Sequence, residues 1–209
     1  MKQIDFYFDF VSPFAYLAFE TLPQALLGCS YQVRYRPILF AGLLKTYGQK
    51  GPAEIEPKRI WTYRHVAWLA RQLGVPFQMP TQHPFNPLGL LRLALAVSDG
   101  EDPNRHVCET IFRQAWSSGQ DASAPEFTQQ LATVLGASPD LSSEQVKLRL
   151  RQNTEEAIAR GVFGVPTMVV DEQIFWGLDA LPMLKAYLDG EPDLSAHAAA
   201  AGRVLPYGV

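Results

Sequence analysis

Residues Asp5 to Tyr16 read Asp-Phe-Tyr-Phe-Asp-Phe-Val-Ser-Pro-Phe-Ala-Tyr. Residues 3–10 alternate with the period of a strand and are rich in Phe and Tyr. The chain then meets Ser12-Pro13. Serine is a favoured helix N-cap, and proline suits the first helical turn, where its missing N–H would have had no partner. The stretch reads as a strand feeding straight into a helix. It sets the Ser12 hydroxyl at the positive end of the helix dipole, beside unpaired backbone N–H groups, where an anion such as a thiolate is well held. Plain capping is the commoner use of such a serine.

Outward from this junction, Phe14, Leu17, Ala18 and Leu22 continue at helical spacing. Pro23 is expected to end or kink the helix, because it lacks a donor and clashes with the preceding turn. Gly28 closes the element. Residues 31–38 alternate again, with Pro37 at the strand end. Residues 41–58 are irregular in pattern, and a helix is predicted over 58–73, stopped by Gly74 and Pro76. A loop spans 77–85. Asn86-Pro87 and Asp102-Pro103 repeat the cap-plus-proline signature, before a helix over Leu88–Val97 and one running to Trp116. Further helices are predicted over Glu126–Leu135 and, after a Ser142/Gln145 capping box, over Val146–Arg160.

The strand signal returns at Val165–Val170 and Gln173–Trp176. Asp171-Glu172 joins them tightly, without the glycine such a turn favours. Asp179 is expected to cap a last helix over Ala180–Asp189, and residues 191–209 read as a weakly ordered tail. The order is β-α-β, a helical block, then β-β-α. This predicts an α/β domain built from residues 1–40 and 160–190, interrupted by an all-helical insertion at 41–159.

With 209 residues the chain can bury a full core. The net charge of −3 comes without any block of Lys or Arg suited to nucleic acid. No apolar run approaches the ~20 residues of a membrane helix, and the N-terminus lacks a signal peptide's apolar core. Cys29 and Cys108 are far apart and form no C-x-x-C pair, which argues for a reducing compartment and points to the cytoplasm. His65, His83, His106 and His197 have no metal-ligand spacing. His106 and Cys108, two apart, face different sides of a helix, so no metal is expected.

A second punctuation point is Phe163-Gly164-Val165-Pro166-Thr167. Pro166 is a candidate cis-proline, which would turn the backbone of Val165 outward to pair with an extended, peptide-like ligand. The other use of such a proline is simply to begin a strand.

Together with Ser12-Pro13-Phe14-Ala15-Tyr16 and Trp176-Gly177-Leu178-Asp179, this segment gives the chain a family likeness. It resembles the thioredoxin-fold branch containing DsbA. More narrowly, over residues 3 to about 189, it is similar to the 2-hydroxychromene-2-carboxylate isomerases and the kappa-class glutathione transferases. Gly48 to Ile55, followed by Lys58, resembles the isomerase branch. The resemblance implies a thioredoxin-like α/β fold with a helical insertion and a glutathione-dependent enzyme. Ser12 stands where DsbA-like oxidoreductases carry their reactive cysteine, and Ala15 stands at the second cysteine's place. By resemblance Ser12 donates to the sulfur of bound glutathione, and Val165, ahead of cis-Pro166, binds its cysteinyl backbone. Asp179 takes the γ-glutamyl ammonium group, and Lys58 lies near the glycine end. Two positions depart from the pattern. Leu178 replaces a usual Ser or Asn and offers only its backbone N–H, and Gln49 replaces an Asn.

A thiol of pKa ~8.5 is mostly protonated at neutral pH, and a hydroxyl plus a helix N-terminus lowers that value. Ser12 itself lacks a His-carboxylate partner and a G-x-S-x-G elbow. The expected activity is interconversion of 2-hydroxychromene-2-carboxylate and trans-o-hydroxybenzylidenepyruvate, or of a related aromatic intermediate, by a homodimer. The alternatives are a kappa-like transferase or peroxidase and a non-catalytic peptide-binding module. Trp61, Tyr63, Trp68, His83, Phe85 and Trp116 are pocket candidates, although helical spacing makes a core the commoner place for any one of them. Arg36, Arg59 and Arg64 are candidates for steering a carboxylate.

Overall fold

The computed structural model describes residues 1–191. The tail expected at 191–209, His197 included, lies outside the described residues but for Glu191. Four strands form one mixed sheet: β1 (Lys2–Phe8), β2 (Tyr31–Pro37), β3 (Thr167–Val170) and β4 (Gln173–Trp176). Their order is β2-β1-β3-β4. β1 pairs parallel with β2 (Phe6 opposite Tyr35) and antiparallel with β3 (Phe6 opposite Met168). The helices are α1 (Pro13–Ala25), α2 (Phe40–Thr46), α3 (Glu56–Leu73), α4 (Leu88–Ala96), α5 (Arg105–Ser117), α6 (Pro125–Val134), α7 (Glu144–Ala159) and α8 (Leu181–Leu188). This is a DsbA-like thioredoxin fold. Among the described residues no helix is long and apolar enough to cross a membrane.

The alternation in β1 is used on both faces. Ile4, Phe6 and Phe8 join a large cluster with residues of α1, α4, α5 and α8. Tyr7 enters a smaller one with Ile38, Leu43, Ala157 and Val169. Helices from the middle of the chain share the core of the sheet. The ring of Phe112, on α5, lies 5.2 Å from Phe8, 4.7 Å from Phe10 and 5.2 Å from Phe19, centroid to centroid.

Several local expectations are corrected. Pro23 does not end α1, which continues to Ala25. A proline leaves the carbonyl four residues back without its helical donor. That carbonyl, of Phe19, accepts from the Arg105 guanidinium at 3.4 Å instead. Asp102 caps nothing. Asn104 caps α5 by accepting from Val107 N–H at 3.0 Å, and the Asp102 carboxylate pairs with Arg149 and Arg36. The Ser142 capping box is absent, because that hydroxyl donates to Asp140. Asn86 accepts from Leu88 N–H in a turn, and Pro87 stands at the cap. A two-turn helix, α2, occupies part of the segment read as irregular. Asp171 and Glu172 both take positive φ, +47° and +67°, the primed-turn conformation achieved without glycine. Lys2 and the Tyr187 hydroxyl hold Asp171 in place. Asp179 sits inside a short 3-10 turn, Leu178–Ala180, and does not cap α8.

Because Phe112 fills the junction of sheet, α1 and α5, Phe112→Ala is expected to cost roughly 3–5 kcal/mol of unfolding free energy. Leu148, which is exposed, is expected to tolerate Ala within about 0.5 kcal/mol. Urea denaturation of the two variants checks the contrast.

Candidate functional site

The site is organised by the link that joins β1 to α1. Ser12 has extended backbone angles (φ −92°, ψ 113°), and its Oγ accepts from Ala15 N–H at 3.2 Å. It is buried, and among the described residues its own hydroxyl hydrogen has no acceptor. It opens onto a cavity of about 220 Å³, walled by apolar side chains such as Phe14, Phe40, Leu44 and Phe85. Asp9, Tyr63 and His83 are among its polar lining residues.

Asp9 is fully buried. One carboxylate oxygen accepts from Val11 N–H at 3.1 Å, and the other accepts from Phe40 N–H at 2.9 Å. Burial outweighs these bonds and pushes the carboxyl up to about 7. Across the cavity, Tyr63 and His83 meet at 2.7 Å between Oη and Nδ1, and His83 Nε2 lies 2.8 Å from the Val11 carbonyl. Burial lowers the pKa of His83 and raises that of Tyr63.

The second structural element is the approach to β3. The Val165–Pro166 bond is cis, as is His83–Pro84. The ladder of β3 begins only at Thr167, whose hydroxyl donates to Gly164 C=O at 2.7 Å. Pro166 C=O accepts from Gly177 N–H at 2.9 Å. Among the described residues the N–H and C=O of Val165 between them find no intramolecular partner. A β-carbon on Gly164 would sit 2.5 Å from the Trp176 indole nitrogen, so only glycine leaves room for that ring. Gly177 has φ +99°, and a β-carbon there would meet Asp179 Oδ1 at 2.4 Å. Glycine therefore lets the Asp179 carboxylate fold back beside β4.

Val165, Pro166, Leu178 and Asp179 line a second, larger cleft of about 1090 Å³. Phe14 and Val165 belong to the walls of both spaces, so Ser12 and Asp179 face adjoining compartments that meet at those two residues. Gln49 and Lys58 are exposed and line neither. Of the pocket candidates, Tyr63, His83 and Phe85 line the cavity and Trp61 lines the cleft. Trp68 lines neither, and Trp116 is a core residue whose indole donates to Phe10 C=O at 2.8 Å. Arg36 is buried against Glu156 and Asp102, Arg59 reaches the Ala53 carbonyl, and Arg64 is exposed. Glu109 is paired with Arg113, and Cys108 is sealed in the core with its thiol pushed up by burial. Asp9 escaped sequence reasoning because it occupies an ordinary polar position of an alternating strand. The one signal for it was a carboxylate at the strand's end, three residues before Ser12.

The sheet order β2-β1-β3-β4, with α1 leaving β1 and α8 following β4 around an inserted set of helices, is that of a thioredoxin-like protein of the DsbA type. The family model described as "DSBA-like thioredoxin domain" matches residues 3–189. Within that class the chain belongs to the 2-hydroxychromene-2-carboxylate isomerase family. It is 32% identical to the 2-hydroxychromene-2-carboxylate isomerase of Sphingobium xenophagum, over 90% of this chain and 98% of the relative. It is 28% identical to glutathione S-transferase kappa 2 of Caenorhabditis elegans, over 90% of this chain and 92% of the relative. A solved structure of a 2-hydroxychromene-2-carboxylate isomerase superposes with a TM-score of 0.76 at 26% identity, covering 95% of this chain and 98% of that one.

Asp9 gives a pH signature. The unfolded chain releases this proton in the ordinary carboxylate range, while the fold keeps it to about 7. The protonated form is therefore favoured by folding, and stability falls as pH rises from about 4 to about 7, by an amount on the order of 4 kcal/mol. Asp9→Asn is expected to remove that contribution to the slope, whatever its constant offset. Urea denaturation at a series of pH values reads it.

Proposed function

We propose that this protein is a glutathione-dependent cis–trans isomerase acting on 2-hydroxychromene-2-carboxylate and trans-o-hydroxybenzylidenepyruvate, or on a closely related aromatic intermediate. The observation that carries the reading is the pair of unpartnered peptide groups on Val165, set on the wall of the same cavity as Ser12. A buried peptide group without a partner is costly, and an extended peptide laid along Val165 satisfies both groups. Asp179, further along the adjoining cleft, offers a carboxylate to the ligand's ammonium end. The residues thus fit a tripeptide.

When bound, glutathione supplies a thiolate that adds reversibly to a conjugated carbon, so that the former double bond can rotate before elimination restores it. Ser12 contributes the one hydroxyl hydrogen that the cap leaves free, directed to the sulfur, while the first turn of α1 adds its dipole. Phe14, Phe40 and Phe85 give an aromatic ring a dry apolar wall and exclude water. The reading takes a small aromatic carboxylate as substrate, a homodimer as the assembly and the cytoplasm as the location. The kappa-class relative supports a second reading on the same site, transfer of glutathione to an electrophile. In that case conjugate accumulates, whereas an isomerase consumes nothing.

Trp176 is half-exposed on the cleft wall, so glutathione is expected to change tryptophan emission on titration. Failure of glutathione to bind, or accumulation of conjugate in place of isomerised product, overturns the isomerase reading. Ser12→Ala is expected to retain binding within about threefold, to raise the thiol pKa of the bound tripeptide and to lower turnover about 10²–10³-fold, the scale of losing one preorganised donor. Unchanged thiol pKa and turnover would remove Ser12 from the chemistry. Asp179→Asn is expected to weaken glutathione about tenfold, the loss of one charge-assisted contact, with turnover at saturation little changed. Titration and saturation kinetics separate the two effects.

A further inference from the structure

Hydrogen counting at the Tyr63–His83 pair shows an arrangement with room for one more proton than a neutral histidine brings. The Val11 carbonyl can only accept, so the contact at 2.8 Å fixes the hydrogen of the neutral ring on Nε2. Nδ1 is then an acceptor, 2.7 Å from the Tyr63 hydroxyl. The same hydroxyl lies 2.9 Å from the His83 carbonyl, a second acceptor. One O–H cannot serve both, so the neutral state has three contacts and two hydrogens. A proton added at Nδ1 completes the set. Nε2–H then donates to Val11 C=O, Nδ1–H to Tyr63 Oη, and Tyr63 O–H to His83 C=O, with no heavy atom displaced.

We propose that this pair takes up and stores the proton that the glutathione thiol gives up on binding beside Ser12. The inference rests on the glutathione reading above. The S–H bond breaks and leaves its electron pair on sulfur. Tyr63 Oη receives that proton and passes its own to His83 Nδ1, so one bond forms for each that breaks. Sulfur leaves the substrate as a thiolate, so the stored proton stays on His83 through turnover and returns only when the tripeptide departs.

The surroundings suit the task. Burial against Phe85 and Trp116, with centroids at 6.1 and 5.3 Å, keeps the free imidazole neutral and ready to accept. The other titratable or charged groups facing the pair are Asp9 and Glu54 in the same cavity and Arg59 near Tyr63. Asp9 already accepts two backbone N–H groups, and Glu54 accepts from Gly51 N–H.

The test combines nitrogen NMR of the labelled histidine rings with calorimetry of glutathione binding in buffers of different ionisation enthalpy, at pH 7. Glutathione is expected to shift His83 Nδ1 from an acceptor to a protonated nitrogen, with near-zero net proton release. Tyr63→Phe is expected to bind the tripeptide within about threefold, to leave Nδ1 unprotonated and to raise release to about one proton per thiolate formed. If glutathione binds as a thiolate and Nδ1 stays an acceptor in the wild type, the storage role is overturned while the glutathione reading stands. If Asp9→Asn alone changes the release, the proton belongs to Asp9 and the proposal fails. If calorimetry detects no binding of glutathione, both readings fall together.

Discussion

The buried link Asp9–Ser12 is the constraint on which the rest of the structure depends. A chain leaving a central strand must satisfy its peptide groups where water cannot reach. Each bond here reaches a different part of the molecule. Asp9 C=O accepts from Ser12 N–H, closing the turn. The Asp9 side chain accepts from Val11 and from Phe40 at the start of α2. Phe10 C=O accepts from Trp116 on α5, and Val11 C=O from His83 in the loop before α4. Each bond contributes only about 0.5–1.5 kcal/mol net, but each left unmade costs about 1–3. The link therefore dictates where α2, α5 and the loop can sit, and α2 and the loop, together with α3, wall the Ser12 cavity.

The same rule, that a freed polar group must find a partner, explains how the middle of the chain fastens to the sheet. Pro23 exposes the Phe19 carbonyl, and Arg105 reaches it from α5 while its guanidinium lies 4.3 Å from the Phe19 ring centroid. On the opposite side Arg36 is buried between Glu156 of α7 and Asp102, which also holds Arg149. Asp5 bridges Arg34 of β2 and Arg160 at the end of α7, and these hydrogen bonds hold its carboxyl below the usual range against burial. Such half-buried pairs are weak stabilisers, since desolvation of the buried partner and solvent screening of the exposed one offset most of their attraction. Their effect here is to fix α7 against β2, which in turn places Thr154 to bond Leu39 N–H at the base of α2.

Much of this was legible in the sequence because it is local. Alternating aromatics, Ser12-Pro13 and Gly164-Val165-Pro166 each declare their geometry within a few residues, and the order of elements then leaves few ways to form a sheet. What was not legible is whatever a distant residue decides. Pro23 looked like a stop because nothing nearby says that Arg105, far along the chain, will take the carbonyl. Asp102 looked like a cap because its arginine partners lie in β2 and α7. Asp9 drew no attention in the sequence, because its burial depends on the packing of α2. The pocket aromatics divided the same way: Tyr63 and Trp116 have similar sequence contexts, and only the fold sends one to the cavity and the other to the core.

The choice of a serine at the mouth of α1 follows from where this chain keeps its own sulfur. Cys108 is sealed within α5, with its thiol pushed up by burial. Cys29 lies at the far end of α1 beside Lys185 and Asp189, and burial together with the Asp189 carboxylate raises its pKa. Neither lines the Ser12 cavity. A cysteine at position 12 would be held as a thiolate by the helix dipole and would attack substrate itself, leaving the protein to part with a covalent adduct. A hydroxyl at that point meets the same dipole but stays protonated: its oxygen accepts from Ala15 N–H, and its hydrogen is left to donate. On the proposed reading the sulfur comes in along Val165 and leaves with its peptide, so the substrate is never tied to the chain.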